Sequence, residues 1–105
     1  MSNVFAKKVI SLQNALTVQP HAIVSQTVAE NGDTSLTLFA FDQGQNIASH
    51  SAPVDAVVLV TQGEAQITVS GQKFTLHAGE MLLMPKGEPH SLLAVSAFKM
   101  ALFKI

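Results

Sequence analysis

Four histidines, His21, His50, His77 and His90, are the side chains best suited to chemistry near neutral pH. An imidazole with an unperturbed pKa of about 6.5 can move a proton or bind a divalent metal through an unprotonated nitrogen. His77 follows Leu76 in a short alternating stretch, so a core-facing Leu76 turns His77 outward. His21 follows Pro20 and reads as a surface residue near an edge. His50 and His90 fall within two spaced motifs. One runs Gly44, five residues, His50, one residue, Ala52, three residues, Ala56, six residues, Gly63. The other runs Gly79, five residues, Pro85, one residue, Gly87, two residues, His90, three residues, Ala94. Ser, His and Asp occur without the spacing of a triad, and there is no glycine-rich phosphate loop, HExxH or GxSxG.

Composition narrows the partners. Six basic and seven acidic residues give a net charge of -1 over 105 residues, with no Arg. Bidentate recognition of phosphates or guanine edges is unavailable, and no general attraction to a polyanion exists. Nucleic acid is therefore not an expected partner. The longest wholly apolar stretch, Ala56 to Val60, is far too short to span a membrane. The chain has no Cys, hence no disulfide, thiolate nucleophile or sulfur-rich metal site. Met1 to Val9 lacks the basic-then-apolar order of a signal peptide, and a cytoplasmic location is expected.

The elements that must hold these residues are strands. Residues 1–20 form an N-terminal segment, with a short strand at Val9 and Ile10 and a helical turn capped by Ser11, ended by Pro20. It is a candidate for a dimer interface. From residue 21 to 105 the sequence reads as one barrel domain. Strands are expected at Ile23–Val28, Ser35–Phe41, Ile47–Ser51, Ala56–Thr61, Ala65–Val69, Phe74–Leu76, Met81–Met84, Ser91–Val95 and Phe98–Ile105. Gly or Pro punctuates them, and Asn31-Gly32 suits a primed hairpin turn. Nine or ten short strands without a helical period imply an all-β sandwich or barrel. Several strands are apolar on both faces, which predicts a homodimer covering what a lone barrel leaves exposed.

The paired motifs resemble those of the cupin superfamily, over roughly Ser35 to Val95. The second matches fully at Gly79, Pro85, Gly87 and His90. The resemblance implies a double-stranded β-helix, the cupin jelly-roll barrel, with an internal pocket and usually in a dimer. In that family the first motif supplies two His and one Glu and the second supplies one His, a set that binds a divalent metal. Carried onto this chain, the first position is His50, the second is Ala52, the Glu position is Ala56, and the second-motif ligand is His90. The last position, often Asn, is Ala94. Asp55 stands beside the missing Glu. In a regular strand it points opposite to Ala56, and only a β-bulge near Pro53 would turn it inward.

The expected pocket is therefore apolar and roomy, lined by His50, Ala52, Ala56, Val58, Met84, His90, Phe98 and Met100. Val60, Leu92, Leu102 and one of Leu38 or Phe39 are further candidates. The function this implies is binding of a small organic molecule in a metal-poor or metal-free cupin. Two alternatives stand beside it. One is a metal-dependent dioxygenase or isomerase, with His50 and His90 completed by Asp55, water or substrate. The other is a structural or interaction protein.

Overall fold

The computed structural model describes residues 3–105. Nine strands follow a single 3₁₀ turn at Leu12–Asn14: β1 (Ile23–Asn31), β2 (Thr34–Phe41), β3 (Asn46–His50), β4 (Ala56–Gln62), β5 (Glu64–Val69), β6 (Gln72–His77), β7 (Met81–Met84), β8 (His90–Ala94) and β9 (Phe98–Lys104). They form two antiparallel sheets. The five-stranded sheet has the order β1-β2-β9-β4-β7, and the four-stranded sheet β3-β8-β5-β6. From β4 onward the chain crosses repeatedly between the sheets, winding a double-stranded β-helix.

Strand register sorts the side chains into an inner and an outer face. The inner face of the five-stranded sheet has four rows. Phe41 lies beside Phe98, and Phe39 beside Met100 and Val60. Thr37, Leu102, Val58 and Leu82 form the third row, and Ser35, Lys104, Ala56 and Met84 the fourth. The facing sheet contributes Ala65, Ile67 and Val69 from β5, Leu76 from β6, and Leu92 and Ala94 from β8, all buried. The Phe41 and Phe98 rings stack with centroids 4.4 Å apart and close one end of the barrel. Small or flexible residues at the other end leave space.

Corners are set by backbone chemistry. Ser70 and Gly71 both have positive φ, as a type I′ hairpin between β5 and β6 requires. In the β1–β2 hairpin the two-residue turn is Gly32-Asp33, not Asn31-Gly32, and only Gly32 is left-handed. At the β4–β5 corner Gly63 has φ +82°, and a Cβ there would lie 2.1 Å from the Ala97 carbonyl oxygen. Opposite it, Glu64 N–H donates to Ser96 Oγ at 3.0 Å, and the Glu64 carbonyl accepts from Val95 and Ser96. Two sheet-to-sheet crossings are thus packed backbone to backbone.

Residues 3–22 run over the outer face of the five-stranded sheet. Asn3 Nδ2 donates to the Val28 carbonyl, Lys99 Nζ donates to the Gln13 carbonyl, and Leu12 borders Leu59. Val9 and Ile10 form no strand, because Val9 projects fully into solvent and no ladder partner lies beside it. Ser11 does not cap the 3₁₀ turn through its side chain; its Oγ accepts instead from Asn14 Nδ2 at 3.3 Å. Among the described residues no helix is long and apolar enough to cross a membrane.

Candidate functional site

His50 and His90 are direct cross-strand partners on β3 and β8. Between Ile47 and His50 the register slips by one residue, a β-bulge. Strict alternation would put Ile47 and Ser49 on one face. The extra residue lets Ile47 and His50 share the inner face, so the bulge re-aims the histidine. The rings meet edge to face with centroids 4.4 Å apart. His50 Nδ1 is 2.9 Å from the Ala48 carbonyl, and His90 Nδ1 is 3.3 Å from the Glu88 carbonyl. A carbonyl only accepts, so each Nδ1 is assigned the proton, and in the neutral form of either ring the lone pair lies on Nε2.

Both rings line a cavity of about 250 Å³ at the open end of the barrel. Its walls are Phe39, Ile47, Ala56, Val58, Met84, Leu92, Met100 and Leu102, with Ser51, Ala52, Pro53 and Lys104 beside the two histidines. The loop residue Ala52 is held there by Gly87 N–H, which donates to its carbonyl at 2.9 Å. Ser70 fixes the loop before His90, its N–H donating to the Pro89 carbonyl and its hydroxyl to Glu88 Oε1. A larger, more open depression between the 3₁₀ turn and β4 has no titratable side chain in its wall and offers no comparable chemistry.

Seven of the eight pocket residues named from sequence meet at this cavity. Phe98 does not: it is fully buried against Phe41 at the closed end, two positions along β9 from Met100. Val60 likewise packs into the core, and Leu38 faces outward beneath the N-terminal segment; Phe39 is the cavity residue of that pair. Asp55 stays outside. No bulge forms near Pro53, and its Oδ1 accepts from the Lys86 N–H at 2.8 Å. His77 is exposed and lies 3.3 Å from both Glu64 and Glu80, and His21 is exposed near Asp42. Lys104 was missed in the sequence, although it continues the Phe98, Met100, Leu102 alternation.

The donor set decides how well a metal fits. The resemblance implies four donors; His50 and His90 are present, and methyl groups of Ala52 and Ala56 stand at the other two positions. Among the described residues no group of three His, Cys, Asp or Glu is arranged so that it could hold a metal ion. These residues do not fit a four-donor metal centre, and what remains is two imidazoles on the cavity wall, that of His90 buried and that of His50 exposed.

His90 is almost fully buried, and desolvation holds its pKa below the usual 6.5. The Glu88 carbonyl acts in the opposite direction, while His50 and Lys104 lower it further by charge. Between the folded and unfolded pKa values the unfolded chain binds more protons. The contribution of His90 to stability is therefore fully present above about pH 6.5 and is lost as pH falls from there through the folded-state pKa. The His90 ring is expected to titrate below 6.5 in a proton NMR series, with a lower denaturation midpoint at pH 5.5 than at 7.5. A His90 titration at or above 6.5 would contradict this.

The comparisons with known proteins agree with the geometry. The family model described as Cupin domain matches residues 37–104. A conserved protein of unknown function from Streptococcus pyogenes is 35% identical, with a TM-score of 0.93 over 99% of this chain and 91% of that one. A cupin 2 conserved barrel domain protein from Leptotrichia buccalis is 31% identical, with a TM-score of 0.89 over 91% of this chain and 47% of that one. A cupin superfamily protein from Desulfitobacterium hafniense shares the fold at 24% identity and a TM-score of 0.91, over 99% and 95% of the two chains. No curated protein sequence matches. A family match over most of the barrel, on a double-stranded β-helix with its histidines at the two motif positions, establishes that this chain belongs to the cupin family.

Proposed function

We propose that this chain is a small cupin that binds a small organic molecule in its barrel, in a pocket poor in metal or free of it. The supporting observation is the cavity wall: ten apolar residues line it together with two imidazoles, that of His90 buried and that of His50 exposed, and the two alanines leave room where donors would stand. Pockets for small molecules have this composition, mostly apolar with a few placed polar groups. At about 250 Å³ the space is smaller than that for a drug-sized ligand and equals about eight waters of liquid volume. A compact molecule such as hexanamide is expected to bind measurably by calorimetry. Ala56→Phe, which fills the chamber from β4, is expected to abolish that binding while the barrel stays folded. Unchanged affinity in a folded Ala56→Phe protein would place the binding elsewhere.

We also propose that the protein is a homodimer through the outer face of the five-stranded sheet. Leu36, Phe103, Val57 and Leu83 form one apolar row across four strands there, and Ile105 and Met81 extend it. Leu83 is 49% exposed and Ile105 64%. Leu59, one row away, lies beside Leu12, so the uncovered row is the one through Phe103. Burying apolar surface gains about 25 cal/mol per Å², and a net charge of -1 opposes pairing little. Light scattering after size exclusion is expected to give about twice the 11.1 kDa chain mass for wild type. Phe103→Glu is expected to give a folded monomer; a monomeric wild type at all concentrations would refute the dimer.

A further inference from the structure

Lys104 is the one lysine among the residues lining the cavity, and no Asp or Glu lines it. It sits in the last inward-facing row, at the mouth, flanked by Ser35 on β2 and Ala56 on β4, neither of which can neutralise it. Among the described residues no carboxylate lies within salt-bridge distance of it, the ion pairs of the chain being those of His77. Asp55, the acidic residue nearest in the chain to Ala56, is occupied by the Lys86 N–H and faces away. A partly buried cation beside an apolar chamber is stabilised most by an anion brought in with the ligand. The two imidazoles, on the opposite sheet, have their Nδ1 protons bound to backbone carbonyls. Their remaining nitrogens are acceptors when neutral and do not compete with the lysine for an anion.

Building on the small-molecule reading above, we propose that the pocket selects a compact monocarboxylate, its apolar body among Phe39, Val58, Met84 and Met100 and its carboxylate on Lys104. The lysine then acts as the specificity determinant, since a charge-assisted hydrogen bond is formed by an acid and lost by its neutral isostere. The size of the chamber confines the body to a short chain or a single ring.

The test compares isosteric pairs, hexanoate with hexanamide and benzoate with benzamide, by calorimetry on the full chain at pH 7.5. Wild type is expected to bind each acid at least tenfold more tightly than its amide. Lys104→Met is expected to remove that preference by weakening each acid at least tenfold more than its amide, and Lys104→Arg is expected to retain a preference for the acid. Raising the salt concentration should weaken acid binding and leave the amide unchanged. Equal binding of acid and amide by wild type would overturn the assignment of Lys104 and leave the small-molecule reading standing. Persistence of the preference in Lys104→Met would overturn it as well. Binding of neither member of either pair would overturn both readings.

Discussion

Ala52→His combined with Ala56→Glu is expected to raise divalent metal affinity by roughly a thousandfold. Complete four-ligand structural sites bind zinc with about 10–16 kcal/mol, and two missing donors forfeit a large part of that. Ala52 and Ala56 already face the same chamber as His50 and His90, so the new side chains enter it without a change of register. Wild type purified without an affinity tag is expected to hold well under one metal per chain. The double variant is expected to hold close to one, with nickel or zinc titrations showing the change. A carboxylate buried without its metal is costly, so the variant should be less stable in chelator than wild type and should regain stability when metal is added. Equal metal affinity in the two folded proteins would mean that residues 52 and 56 do not face His50 and His90. Stoichiometric metal in wild type, lost in His50→Ala, would overturn the metal-poor reading.

Gly63→Ala is expected to cost about 3 kcal/mol or more, enough to leave much of the protein unfolded at moderate temperature. Two effects add. A left-handed conformation costs an L-residue about 1–2 kcal/mol, and overpacking of a tight site adds about 1–3 kcal/mol. The new methyl group would overlap the Ala97 carbonyl and the Phe98 Cα and Cβ, at 2.1, 2.9 and 2.8 Å. Those atoms are backbone or the root of a buried side chain, so they cannot swing aside. Gly79→Ala is the control: it shares the positive φ, but a Cβ there meets nothing within 4 Å. Urea denaturation should show a markedly larger loss for Gly63 than for Gly79. Equal losses would mean that the corner relaxes and that only the dihedral penalty counts.

Much of the barrel was legible because alternation and punctuation report directly on strands. The stretch Ala65, Ile67, Val69 against Gln66, Thr68, Ser70 gives both a strand and its buried face, and the structure buries those three. The short turns at Gly63, Gly71 and Gly79 bounded the elements for the same reason. The N-terminal segment was not legible. Val9 and Ile10 have strand propensity, but a strand needs a ladder partner, and nothing in the local sequence states that none exists.

Within the site, legibility depended on register. On β4 and β9 alternation is regular enough to place Ala56, Val58, Met100 and Leu102 on the inner face. The same parity continues to Lys104, so the signal for that lysine was present and was masked by its charge and terminal place in the strand. Phe98 had the right parity but lies at the wrong height: a face is readable from period two, whereas depth along the barrel depends on which rows the neighbouring strands bring alongside. His50 is the opposite case. Strict alternation from Ile47 turns it away from the cavity, and the bulge that restores it has no local signature of Gly or Pro. Spacing shared with a family located that residue where periodicity alone would have failed.

Binding of a small organic molecule in the barrel chamber is read most directly by methionine methyl NMR. Met84 and Met100 line the chamber, while Met81 projects from the outer face with 65% of its surface exposed. With the methionine methyl groups labelled in carbon-13, titration of hexanamide is expected to shift the Met84 and Met100 signals together along one saturable curve. Met81 should stay in place, and Ala56→Phe should abolish both shifts. Saturable movement of Met81 alone, or no movement of Met84 and Met100 at millimolar ligand, would contradict the claim.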